Sequence, residues 1–531
     1  MIYNCRLPFS SSFTRLLTLI VALGAWSNVS HANSMVASTP NPYAAATAGV
    51  APLLSATAPG SERFFAVGLM RKTRGLAWEC TATLVANSET PNDDQAALIL
   101  TAGHCSVDPL VAIDNADNDV IIDKPMAVGF VFIPAYFFDN IDEHHEYAIK
   151  RIVYSSMKGS EIGLLELAAT YGELRSRGVK PVRLKNFEAT DQNIELAHIP
   201  QGAFPGGFFL RHSMCQSQPP MPVFESAWPI RRDLPWYWSD SRANDCVGVY
   251  GGSSGAPVFA KEGKQVIGVL STGTDSHLNG CGFARPCELT ANGPVSRPEA
   301  VYTNAVDHIL AAFRADNTLD LSKLDPGTGV VIERMGAWST RSEIPNEKGQ
   351  LQPASWGLKI SNNVEWIRYK TGLASSIRCA LPKGYGAPVK ADEQPLLKLG
   401  VGQREGILAI CVIGKRFGQT SWQSMKFATA KLRQLDNTGP QIEPNVQIFD
   451  HGDDNWQIIT ASHINEIVEV HHKYGALKSI DCASESGYSL VEEPLTLPKE
   501  RDWHYCAYGT DEAGNRSLIV SKELTIKTAI N

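Results

Sequence analysis

"GGSSGAPVF", residues 251–259, places two glycines before a serine pair and a Gly-Ala-Pro turn before an apolar run. A serine on such a glycine-framed loop can turn its hydroxyl outward while neighbouring backbone N–H groups converge on one point, an arrangement that binds developing negative charge. Alone, the segment reads equally well as a flexible Gly/Ser loop. Upstream, "LILTAGHCS" (98–106) ends an apolar run with His104 and Cys105 side by side. A lone histidine at a strand end is more often a packed structural residue than a base. Between the two lies "SEIGLLEL" (160–167), in which Glu161 opens a second apolar run. Base, carboxylate and serine in this order make chance a poor account of all three.

The surrounding sequence, from about 61 to 315, consists of short runs such as "FFAVGL", "AVGFVFI", "GAPVFA" and "QVIGVLSTG" broken by Gly, Pro and Asn. That texture predicts many β-strands with tight turns, hence a sandwich or barrel. One helix is expected, over "AVDHILAAFRA" (305–315), where Ala305, Ile309, Ala312 and Phe313 share a face.

These motifs together resemble the trypsin/chymotrypsin family of serine peptidases: residues 101–105 match its "TA-x-HC" and Gly252 to Pro257 match its "G-x-SGGP". The resemblance spans roughly residues 61–318 and implies an all-β, chymotrypsin-like double β-barrel. It implies His104 as general base, Ser254 as nucleophile and the N–H groups of Gly252 and Ser254 as the oxyanion hole. It also implies a Cys80–Cys105 disulfide that fastens the His104 loop. The family's "D-I-A-L-L" strand opens on aspartate, whereas this chain has Glu161, whose extra methylene demands a retracted backbone or another approach angle. Asp139 and Asp142 are weaker candidates for the orienting carboxylate. Many members carry aspartate before the nucleophile, paired with an amine released by cleavage; here Ser253 stands there, so that switch cannot operate in that form. "LSTG" (270–273) resembles the substrate-binding strand, with Ser271 and Gly273 pairing with an extended protein or peptide substrate. Gly248, six residues before the nucleophile, offers no charge at the pocket base, which favours an apolar or small substrate side chain.

Residues 1–32 read as an export signal: Arg6 and Arg15 precede the apolar segment Leu16 to Trp26 and the small-residue site Ser30-His31-Ala32. About 11 apolar residues are too few to cross a bilayer that needs roughly 20, and no later segment is long enough, so no membrane span is expected in a secreted mature chain. Residues 33–60, rich in Ala, Pro, Ser and Thr, read as a flexible N-terminus or propeptide. A formal charge of -7 without a basic run excludes a nucleic-acid partner.

Export places the cysteines in an oxidising compartment. Beyond Cys5, ten remain, and Cys215, Cys246, Cys281 and Cys287 allow three pairings, of which Cys215–Cys246 with Cys281–Cys287 is favoured by the local "CGFARPC". No CxxC pair occurs and "DEHHE" (142–146) reads as a solvated loop, so neither metal nor cofactor is expected.

The last 200 residues contain a repeat. "RYKTGLASSIRCALPKGY" (368–385) answers "HHKYGALKSIDCASESGY" (471–488), and "ICVIGKRFGQTS" answers "YCAYGTDEAGNRS" further on. Two small β-sandwich domains, 332–435 and 436–531, follow, pinned by Cys379–Cys411 and Cys482–Cys506. They resemble immunoglobulin-like and fibronectin-like bacterial modules and are expected to hold the chain near a surface, a glycan or a protein. A catalytically silent relative, acting as a secreted binding protein, is the alternative reading that Glu161 motivates.

Overall fold

The computed structural model describes residues 49–73, 79–106, 120–201, 205–226, 235–261, 264–274, 281–334, 337–452, 454–461 and 466–526. Residues 1–32, read as an export signal, and residues 33–48 lie outside the described residues. Residues 49–60, the end of the stretch read as flexible, pack on the protein, with Ala51 fully buried.

Seven strands build the first half: β1 (Val67–Lys72), β2 (Glu79–Ala86), β3 (Ala96–Thr101), β4 (Val120–Pro125), β5 (Phe130–Pro134), β6 (Tyr147–Ser156) and β7 (Ile162–Thr170). Antiparallel pairing runs β1–β2–β3–β7–β6–β5 and returns to β1, closing a barrel, while β4 pairs along β6. In β3, "AALILT" is buried almost throughout rather than alternately, as befits a strand covered on both faces. Leu84, Ile99, Phe130, Phe132 and Leu165 fill the interior, each contributing about 1.5–3 kcal/mol of burial.

The second half comprises β8 (Val182–Leu184), β9 (Asn193–His198), β10 (Arg211–Gln216), β11 (Met221–Ser226), β12 (Pro235–Asn244), β13 (Pro257–Ala260), β14 (Gln265–Gly273), β15 (Cys287–Thr290), β16 (Gly293–Ser296) and β17 (Val301–Ala305). The order β10–β9–β13–β14–β17–β12 closes through a bridge between Ser217 and Asn244. A side sheet, β12–β11–β15–β16, leaves this barrel. The short β8 pairs in parallel with both β2 and β14 and so stitches the barrels together. The chain therefore has the chymotrypsin-like double barrel that its motifs imply.

Both repeats are β domains. In the second, the strands Asn445–Asp450, Asn455–Ala461 and Leu495–Pro498 face a sheet of Ser489–Leu490, Glu469–Ala476, Trp503–Thr510 and Arg516–Leu524 across a core of Ile458, Leu497, Tyr505 and Val520. The first centres on a five-stranded sheet that includes Trp366–Leu373, Gly406–Lys415 and Thr429–Leu435. Its core is not separate. Trp338 and Trp356 belong to one buried cluster with Phe224, Tyr237, Cys287 and Leu289 of the side sheet, and the Phe224 and Trp338 rings lie 5.5 Å apart.

The repeat motif has a structural reason. Lys370 donates to the carbonyls of Arg378, Leu381 and Lys383, and Lys473 to those of Ser484 and Ser486, each closing the loop that follows its strand. Tyr385 and Tyr488 then donate to the Cys379 and Cys482 carbonyls. All five disulfides form as read: 80–105, 215–246, 281–287, 379–411 and 482–506. In the repeats, each bond fastens this loop to the middle strand rather than joining two strands.

The expected 305–315 helix is shorter, Asp307–Leu310. Ala312 and Phe313 close i→i−3 turns instead, because the chain reverses at Asn317 and Phe313 bridges Leu319. The apolar face is nonetheless buried as its spacing requires. A helix not anticipated, Tyr171–Ser176, starts on a capping box between Thr170 and Glu173.

Candidate active site

His104 sits on a 3₁₀ turn, Gly103–Ser106, just after β3. Two ties fix the turn. Cys105 is bonded to Cys80 on β2, and the Gly103 carbonyl accepts from the Ser106 and Ser155 hydroxyls at 2.8 and 3.1 Å. Glu161 lies immediately before β7 and is 1% exposed. Its Oε1 bonds His104 Nδ1, so the longer acid reaches the ring from a fully buried position. Its Oε2 has no partner among the described residues.

Ser254 enters through its backbone. Its carbonyl accepts from Thr81 N–H at 2.8 Å, and the Gly252 carbonyl accepts from the Thr81 hydroxyl at 2.9 Å. Thr81 follows Cys80, so one residue of β2 holds the serine loop beside the disulfide of the His104 turn. Gly255 completes the approach: its φ is +82°, and a Cβ there would lie 2.1 Å from Thr101 Oγ1 and 2.2 Å from the Thr81 carbonyl, so no side chain fits. The Ser254 hydroxyl takes no hydrogen-bond partner among the described residues. The N–H groups of Ser253, Gly255 and Ala256 are bonded to Tyr250, Leu270 and Ser253 carbonyls. Those of Gly252 and Ser254 take no partner among the described residues, which leaves two donors of one tight turn available to an incoming oxyanion.

Electrostatics favour a charged intermediate at His104. Burial pushes the imidazole down, but the Glu161 carboxylate at its Nδ1, and then the Glu225 charge, outweigh burial, and the pKa is raised above the ordinary histidine value. Glu225, on β11, escaped the sequence reading, since "VFES" is buried on both faces and shows no alternation. Its carboxylate accepts from the Thr272 hydroxyl at 2.7 Å and from Ala284 N–H at 2.9 Å. Burial raises its pKa to about 7, further raised by Glu161 and opposed by those two hydrogen bonds and by His104.

Ser271 and Gly273 lie on β14: Gly273 pairs with Val301 on β17, while Ser271 stands at an irregularity between the Leu270–Thr303 and Thr272–Tyr302 pairs, its hydroxyl donating to the Tyr302 carbonyl at 3.2 Å. Gly248 is buried beneath the 49–54 segment. Asp139 is engaged elsewhere, accepting from the Ser55 hydroxyl and Ala56 N–H. His104 with Cys80 and Cys105, and His504 with Cys482 and Cys506, form the two clusters of potential metal ligands among the described residues. Their sulfurs are consumed in disulfides.

No family model and no curated protein matches the chain. Among solved structures it is similar to the thermostable serine protease AL20 from an extremophilic microorganism, at 16% identity over 46% of this chain and 92% of that one, with a TM-score of 0.30. It is similar to the protease Anisep from Arthrobacter nicotinovorans, at 15% identity over 45% and 90%, with a TM-score of 0.28. The HtrA-type protease AlgW matches at 10% identity over 72% and 98%, with a TM-score of 0.28.

Proposed function

We propose that the chain is an exported serine endopeptidase in which Ser254 is the nucleophile, His104 the general base and acid, and Glu161 the orienting carboxylate. The observation that carries this reading is the bond from the buried Glu161 carboxylate to His104 Nδ1: a carboxylate there fixes the tautomer in which Nδ1 carries the proton and Nε2 is the basic nitrogen. Ser254 Oγ attacks the scissile carbonyl as its proton passes to His104. The oxyanion is received by the Gly252 and Ser254 N–H groups, His104 returns the proton to the departing amine, and water then releases the acyl group by the same route. The peptide extends along β14 at Ser271 and Gly273, whereas Gly248, covered by Ala51, lines no open pocket. Five disulfides support an exported setting.

A fluorophosphonate probe tests the reading. Label mapped to Ser254 and abolished by His104→Ala supports it. A native protein that neither labels nor cleaves unfolded casein refutes it and favours the silent binding protein.

A further inference from the structure

Ser253 occupies the position where the resembled family carries an activating aspartate, and the structure supplies another partner for it. His198, at the end of β9, is fully buried, with Nδ1 2.9 Å from Ser253 Oγ and Nε2 3.4 Å from Ser213 Oγ. The remaining bonds fix the direction of every proton. The Ser213 hydroxyl donates to the Val247 carbonyl at 2.8 Å, so it accepts from His198 Nε2–H. Nδ1 is then the acceptor and takes the Ser253 proton, while Ser253 Oγ accepts from Tyr250 N–H at 3.2 Å. A continuous chain of hydrogen bonds thus runs from Tyr250 through Ser253, His198 and Ser213 to Val247, joining both ends of the segment that precedes the nucleophile.

We infer, on the peptidase reading above, that His198 is the positioning residue of the oxyanion segment: one neutral imidazole holds residues 247–253 in working shape, without a charge pair and without a freed N-terminal amine. Burial, with Arg211 and His212 nearby, lowers the ring's pKa to about 3, so it stays neutral at any working pH. An unbroken length of chain completes the support. Residues 49–54 lie over the Gly248 turn, whose φ is +70° and where a Cβ would sit 2.6 Å from Ala51 N. Arg211, 2% exposed, donates to the Ala51 carbonyl at 2.7 Å, and Leu54 N–H and His212 N–H pair with the Leu210 and Pro52 carbonyls. Val247 and Gly248 are therefore braced from outside by a continuous strap and from inside by the imidazole chain.

The test compares the full mature chain with Ser253→Ala, which breaks the Nδ1 bond, and His198→Asn, which keeps an acceptor for Ser253 and loses the Ser213 bond. Ser253→Ala is expected to lower kcat about ten- to a hundredfold with KM within about threefold. Affinity for a peptide aldehyde, which places an oxyanion in the hole, is expected to fall in proportion to kcat/KM, while the melting temperature of the fold holds. His198→Asn, which keeps an acceptor for Ser253, is expected to lose less kcat than Ser253→Ala. Acetylating the N-terminal amine of the mature chain leaves activity unchanged. Wild-type kcat in Ser253→Ala, loss shared equally by KM, or activity that requires a free amine overturns the inference while leaving the peptidase reading intact. A wild-type protein that never labels at Ser254 defeats both.

Discussion

Replacing Glu161 by Gln keeps the shape of the buried side chain and removes its charge. In the resting site the cost is one hydrogen bond's charge assistance, but in the transition state His104 becomes an imidazolium and loses its counter-ion. Two unit charges about 4 Å apart at an effective dielectric of about 20 attract by about 4 kcal/mol, appropriate for a carboxylate that is 1% exposed beside a ring that is 22% exposed. That is about a thousandfold in kcat. KM should hold, because Glu161 lies behind the ring and touches no substrate. Stopped-time hydrolysis of a peptide chosen from a library, followed across pH, measures both. The acid limb of kcat/KM should also move to lower pH, since burial then depresses the ring against the Glu225 charge alone. Stability gives a second reading. A histidine whose folded pKa is raised contributes stability that is fully present below about 6.5 and is lost as pH rises through the folded value. Glu161→Gln should remove that low-pH advantage. A variant with wild-type kcat and an unmoved acid limb would refute the assignment of Glu161, whatever the fate of Ser254.

Two further outcomes follow from buried groups. Glu225→Gln deletes a charge that raises His104, so its acid limb should lie below that of the parent. The variant should also lose the roughly 3 kcal/mol fall in stability that a buried acid titrating at about 7 instead of 4.5 imposes as pH rises through that window. Thermal melts at pH 4.5 and 8 check the second effect, and an unchanged pH dependence counts against it. Trp356→Ala empties a fully buried site in the core shared with the side sheet and should cost about 3–5 kcal/mol. Urea midpoints for tryptophan fluorescence and for Ser254 labelling should fall together; a labelling midpoint that stays put would show the two cores to be independent.

What the sequence made legible is local in sequence or carried by a cysteine. The bond of Glu161 to His104 and all five disulfides follow from motifs whose members sit a few residues from a glycine turn or a strand start. The capping box at Thr170 and Glu173 is a Thr-x-x-Glu pattern that could have announced the short helix it starts, yet it went unread. Thr81 was not legible: its hydroxyl and N–H serve a loop 171 residues further on, and only barrel closure brings β2 under that loop. His198 and Glu225 stayed hidden for a related reason. Both stand in strands buried on the two faces, where period-two alternation vanishes and a polar residue carries no mark of its partner. The shared core of the first repeat is likewise a pairing of surfaces. Phe224 and Tyr237 look like ordinary strand residues until Trp338 covers them.

Lys158 stands three residues before Glu161 and pairs with Asp325 at 2.8 Å, while donating to the Phe427 carbonyl at 2.8 Å. The stretch between the barrels and the first repeat is thus clasped, with Leu324 fully buried, and does not behave as a hinge. Removal of the chain beyond residue 318 would strip Phe224, Tyr237 and Leu289 of their cover and slacken the loop that presents the acid to the imidazole. Shedding the tail would disarm the molecule rather than ripen it, and the smallest portable unit for transplantation runs through residue 435.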